Sequence, residues 1–180
     1  MMTSATNSQQ EDSVPVPIAS QSAKRTVIGV FCGTADGASP AFKAAACALA
    51  HVFHANNVKM VYGAGTTGMM GEIAKTLVSL SGPEAVHGVI PKALVPKEQH
   101  DLGKEGPSGP GHEQPFGMTT VVRTMHERKE LMAREVRAGG PGSGFIALSG
   151  GFGTLDELAE MTTVRMRIDS SISRPQSLQY

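Results

Sequence analysis

Apolar residues in this chain gather into short continuous runs, separated by longer amphipathic stretches. The runs "TVIGVF" (26–31), "VKMVY" (58–62) and "AVHGVI" (85–90) are rich in β-branched side chains. "TTVV" (119–122) predicts a short fourth strand and "GFIAL" (144–148) a fifth. Runs of this kind, without polar alternation, belong to strands buried on both faces of a parallel sheet. The intervening "PAFKAAACALAHVFHA" predicts a helix, with Ser39 as N-cap and Pro40 as first helical residue. "EIAKTLVSL" and "TMHERKELMAREVRA" predict two more. Strands alternating with helices give a doubly wound α/β fold with about five strands.

The remaining segments mark boundaries. Residues 1–23 are rich in Ser, Thr, Gln and Pro and predict a disordered tail before one α/β domain at 24–163. Residues 164–180 carry no strand pattern and read as a second tail. "GKEGPSGPGHEQPFG" (103–117) and "AGGPGSG" (138–144) read as surface insertions.

Charge and composition narrow the function classes. The chain has 16 basic and 16 acidic residues among 180, so it offers no electrostatic footprint for nucleic acid or an anionic membrane. No apolar run is long enough to span a bilayer, and the N-terminus lacks the layout of a secretory signal. Two cysteines, Cys32 and Cys47, fit a reducing compartment, and the expected address is the cytoplasm. His126 stands alone, and His51 and His54 share a helix face without carboxylate or thiolate companions, so no metal is expected. Cys32 has no histidine partner nearby in sequence and reads as structural.

Two glycine-rich loops follow predicted strands. "GAGTTG" (63–68) matches a dinucleotide fingerprint, but the next strand, "AVHGVIPKAL", does not end in the acidic residue a nicotinamide cofactor needs. What survives is a turn that lets a ligand approach the backbone at a helix N-terminus. "SGGFGTLDE" (149–157) is the second loop, and the two predict one shared crevice at the carboxyl ends of the strands. Its Thr154-Leu155-Asp156-Glu157 also spells a T-x-x-E capping box, which needs no ligand. On "TMHERKELMAREV", Met125, Met132 and Val136 share one side with Leu131 at its edge, and Arg128 and Lys129 border that stripe. Their stems can pack while the heads reach water, or the guanidinium can take an anion, either a phosphate or Glu157.

These blocks together resemble the LONELY GUY family of cytokinin-activating phosphoribohydrolases, long labelled lysine decarboxylases. The resemblance runs from about residue 26 to 163 through "VFCGT", "MVYGAGTTGMMGEIA", "HGVIPKALVPKE", "TMHERKELM" and "SGGFGTLDE". It implies a Rossmann-like fold, Arg128 and Glu157 as the catalytic pair, and hydrolysis of the N-glycosidic bond of a cytokinin riboside 5′-monophosphate or AMP-like nucleotide. It implies substrate contacts from Glu98, Lys129, Gly150, Gly151, Phe152, Gly153, Thr154, Asp156 and Thr163. Gly33, Thr34, Gly63, Gly65 and Gly68 would line the loops around them. No cofactor is implied, and a homodimer is. Ser149 replaces the family's proline, and "AGGPGSG" lengthens the spacing from Arg128 to Glu157. Beyond "ELAEMTT" the chain departs from the family pattern, so the last strands of that fold are expected to be missing through truncation or alteration. The alternative reading is a nucleotide-binding relative with impaired catalysis.

Overall fold

The computed structural model describes residues 24–35, 37–96 and 116–172, with side chains described up to Thr163. Among them five strands form one parallel sheet: β1 (Val27–Phe31), β2 (Lys59–Tyr62), β3 (Val86–Pro91), β4 (Met118–Val122) and β5 (Gly144–Ala147). Their spatial order is β4-β3-β2-β1-β5. Four helices alternate with them: α1 (Pro40–Ala55), α2 (Gly68–Ser81), α3 (Met125–Ala138) and α4 (Phe152–Ile172). The five expected strands are all present, within a residue or so of their predicted ends. Helix α4 carries helical backbone to Ile172, into the segment read as a tail. Residues 1–23 and most of the 103–117 insertion lie outside the described residues.

The strand order fixes which helices meet. Along β1, Val27 and Phe31 point to one face while Ile28, Val30 and Cys32 point to the other. The second face packs on α1 and α2 through Ala46, Ala50, Phe53, Ile73 and Leu77. The first packs on α3 and α4 through Met132, Ala133, Val136 and Met161. Right-handed crossovers require this division, because the chain moves from β1 outward to β4 and then returns past β1 to β5. The reversal leaves a switch point between β1 and β5, where the loops after the two strands diverge. Ligands of such folds bind at that crevice, outside the carboxyl ends of the strands.

Several caps are as local as the sequence suggests. Ser39 Oγ accepts from the Ala41 amide at 3.2 Å, with Pro40 in the first turn, so α1 begins where it was expected. The 138–144 stretch is pinned, since the Gly140 amide donates to Arg25 O at 2.9 Å. On the α3 face, Phe31 and Phe145 stack with centroids 5.4 Å apart. Gly29, paired with Phe145 across the sheet, leaves the space that the Phe145 ring occupies, and a Cβ there would lie 2.4 Å from that ring. Gly29→Ala should therefore cost about 1–3 kcal/mol through overpacking. The urea midpoint measures it, and an unchanged midpoint would show that the Phe145 ring moves aside freely.

Candidate active site

Three loops meet at the carboxyl rim of the sheet. The Gly33 amide, after β1, donates to Ser149 O, after β5, at 3.0 Å, which ties the two sides of the switch point together. The loop after β2 is stitched to the loop after β1: Thr67 Oγ1 donates to Thr34 O at 2.9 Å, and the Met70 amide donates to Gly33 O at 3.3 Å. Gly68 opens α2 at φ +60°, and a Cβ there would lie 2.5 Å from the backbone of Thr34 and Ala35. No larger residue fits that position. The Gly65 amide is satisfied by the Met70 thioether at 3.2 Å. Thus Gly33, Thr34, Gly65 and Gly68 are neighbours in space, as the two-loop crevice requires.

The charged residues come from the helices on the other side. Alternation along β2 turns position 63 toward the α3 face, and the Arg128 guanidinium lies on Gly63. A Cβ at that position would sit 1.9 Å from Arg128 Nη2. Arg128 Nη2 donates to Glu157 Oε1 at 2.8 Å, and both side chains are 9% exposed. Among the described residues, the buried Arg128 Nε has no hydrogen-bond partner. Lys129, one residue on, reaches Asp156 Oδ2 at 2.7 Å and also binds Glu160. Two adjacent cations of α3 therefore hold three carboxylates of α4.

Burial pushes the Glu157 carboxyl above the ordinary range, and the cations Arg128 and Lys129 pull it back down. Asp156 and Glu160 add to the upward push. Cys32 is pushed up to about 12, by burial first and then by the Glu157 charge. Its thiol stays protonated at neutral pH, in keeping with a structural cysteine rather than a nucleophile.

The capping-box reading of Thr154–Glu157 is corrected. Helix α4 starts at Phe152, and the amides of Thr154 and Leu155 turn back to Gly151 O. The glycines let the helix begin before Thr154, and the Glu157 carboxylate turns to Arg128 instead of to a backbone amide. A T-x-x-E box does form at α3, where no signal was read. Thr124 Oγ1 accepts from the Glu127 amide at 3.1 Å, and Glu127 accepts from the Arg123 amide at 2.8 Å. That cap fixes the start of the helix whose first turn leads to Arg128. Hydrogen bonds from Arg123 hold the Glu127 carboxyl below the usual range.

Other sequence candidates are placed unevenly. Gly150 is compressed, with the Thr154 hydroxyl 2.1 Å from where its Cβ would be, while added Cβ atoms at Gly151 and Gly153 would meet nothing among the described residues. Phe152 is 91% exposed. Thr163 is also exposed, and its hydroxyl donates to Ala159 O along its own helix, so it is not drawn toward Glu157. Met125 is exposed rather than on the buried stripe, because the first residue of α3 lies above the rim where the strands end. Glu98 lies outside the described residues. Glu160 was not picked out, although its i+4 spacing from Asp156 was the available signal. His54 bonds Ser81 Oγ at 2.8 Å, and no group of three metal-type side chains occurs among the described residues. Among those residues, no helix is long and apolar enough to cross a membrane.

Known proteins share this arrangement of elements and motifs. A family model described as "Possible lysine decarboxylase" matches residues 70–175. A "Bifunctional cytokinin biosynthesis protein" of Fusarium pseudograminearum (strain CS3096) is 51% identical over 140 residues, which cover 78% of this chain and 28% of that protein. A probable cytokinin riboside 5′-monophosphate phosphoribohydrolase of Oryza sativa subsp. japonica is 43% identical, over 76% of this chain and 52% of its own. A cytokinin riboside 5′-monophosphate phosphoribohydrolase of Arabidopsis thaliana is 38% identical, over 76% and 54%. The chain thus spans about half the length of these plant relatives and less of the fungal one. The molybdenum cofactor carrier protein of Chlamydomonas reinhardtii shares the fold, with a TM-score of 0.56 at 18% identity over 79% of this chain and 73% of its own.

Arg128→Ala should cost about 3–5 kcal/mol at neutral pH, since it leaves the Glu157 carboxylate buried without its cation. The sign of the pH dependence follows from the raised carboxyl. Its favourable protonated form is fully available below the ordinary glutamate range and is lost as pH rises through the folded value. The variant's deficit should therefore shrink as the pH is lowered. Urea titrations at several pH values measure this, and a deficit independent of pH would contradict it.

Proposed function

This chain belongs to the family described as possible lysine decarboxylase, where the LONELY GUY resemblance had placed it, and on that premise we propose that it is a phosphoribohydrolase. The reaction is hydrolysis of the N-glycosidic bond of a cytokinin riboside 5′-monophosphate or a similar adenine nucleotide. Water adds hydroxyl to the sugar carbon, and the departing base takes the proton, giving free base and ribose 5-phosphate. The observation that carries this reading is the buried Arg128–Glu157 pair beside the glycine loops, together with relatives named for this activity.

Each part has a role in that chemistry. The open backbone of Gly151 and Gly153 at the start of α4 suits a phosphate, which takes amide hydrogen bonds and the positive end of the helix dipole. Glu157, a helical turn further on, would face the sugar carbon. Bond cleavage builds positive charge there, and a fixed carboxylate stabilises it or orients the attacking water. Arg128 favours the ionised form of Glu157 in a site where burial opposes it. Asp156, Lys129, Thr154, Glu98 and Thr163 are carried over from the resemblance alone.

A homodimer is part of the same proposal. Phe152, Leu155 and Leu158 leave apolar surface exposed on α4, which a second copy could cover. The free thiols of Cys32 and Cys47 suit the reducing cytoplasm.

Purified protein given isopentenyladenosine 5′-monophosphate or AMP should release the free base, resolved by chromatography. Glu157→Gln should retain nucleotide binding and lose about 10²-fold or more in kcat. Binding without base release by the wild-type chain would instead favour the impaired relative. Because activity needs the ionised carboxylate, the acid limb of the pH profile should lie above about 4.3, the ordinary glutamate value. A limb at or below that value would remove Glu157 as the group being read.

A further inference from the structure

The resemblance gives Lys129 and Asp156 to the substrate but leaves the third member of their ion-pair group, Glu160, without a role. Lys129 is 12% exposed at its side chain, and its ammonium is held by two carboxylates of α4, Asp156 and Glu160. These residues are one helical turn apart and flank Glu157. Asp156 is 70% exposed at its side chain, whereas Glu160 is 33% exposed. Glu160 is thus the more enclosed of Lys129's two anchors. Among the described contacts, Arg128 and Lys129 are the cations that tie the start of α4 to α3. The alignment of Glu157 with Arg128 therefore depends on how α4 is rotated about its axis.

We propose that Glu160 is a positioning residue of this site: through Lys129 it fixes the rotation of α4 that brings Glu157 to Arg128. The proposal rests on the phosphoribohydrolase reading. Glu160 also acts on Glu157 through space. The groups facing Glu157 are Arg128 and Lys129 from α3, Asp156 and Glu160 on its own helix, and the protonated Cys32 thiol at the end of β1. Two cations against two further carboxylates make the charge of Glu160 matter to the proton affinity of Glu157.

Two variants separate position from charge. Glu160→Gln keeps an oxygen that accepts from Lys129 but removes the negative charge. Glu160→Ala removes both. The Glu157 side-chain carboxyl is followed by carbon-13 NMR across pH in the unliganded protein, and kcat and KM are measured beside it. In Glu160→Gln the Glu157 titration should move to lower pH, and the acid limb of the activity profile should move with it, while kcat on the plateau stays within about threefold of the unmodified protein. Glu160→Ala should lose roughly tenfold or more in kcat with KM within about threefold, because a small misplacement of Glu157 is costly. Loss of folded stability in both variants, with an unmoved Glu157 titration and kcat, would mean that Glu160 only holds the helices together and would overturn the proposal. A tenfold rise in KM at unchanged kcat in Glu160→Gln would overturn it too, by making Glu160 a substrate contact. The NMR titration does not require turnover, so an inactive unmodified protein would count against the phosphoribohydrolase reading, and the Glu157 shift would still test Glu160.

Discussion

Arg128 and Glu157 are each more than nine-tenths buried, and neither charge is tolerable there without the other. The pair joins two helices that cover the same face of the sheet. It sits where the strands end, so its requirements pass directly into the backbone beneath it. The guanidinium needs a flat place to lie, and Gly63 provides it by having no Cβ. The carboxylate needs α4 to begin close to β5, and Gly150 permits this by letting the Thr154 hydroxyl fold against it. A buried pair of this kind is poor evidence of stability in itself.

Around that pair the structure separates rigidity from access. Gly33 and Ser149 bridge the switch point, while Thr67 and Met70 fasten the loop after β2 to the loop after β1. These contacts satisfy backbone groups that a loose loop would leave to water. Ala64, next to Gly63, is held in the left-handed region at φ 59°, a conformation that costs a non-glycine residue roughly 1–2 kcal/mol. Opposing these, Gly151 and Gly153 face no neighbour among the described residues, and Phe152 between them is almost wholly exposed. The rim is thus fixed where it holds the charged pair and open at the glycines that begin α4.

Two T-x-x-E sequences in one chain show what local pattern does and does not decide. At Thr124 the box forms, because the Glu127 carboxylate finds the Arg123 amide and side chain within reach. At Thr154 the same four-residue spacing does not cap, because α4 starts earlier and Arg128 takes the carboxylate. Lys129 shows the complement. From its own helix it bordered an apolar stripe and suited either water or an anion, but across the helix interface it has two carboxylates. A side chain's partner is decided by the element packed opposite, and that element can lie far away in sequence.

The chain's own residues determined the strands, the helices and much of their bounds, because continuous apolar runs and helical stripes are local consequences of burial. They also marked Arg128, Lys129 and the glycine loops as candidates, while leaving a helix cap and solvent-reaching cations as equally local readings. The tertiary structure alone decided that Arg128 meets Glu157, that Thr163 turns back along its helix, and that Glu160 completes the charge cluster. Those outcomes follow from the strand order β4-β3-β2-β1-β5, which sets α3 and α4 side by side on one face. No local signal encodes that order, because it arises from how crossovers of one hand can return the chain across the sheet.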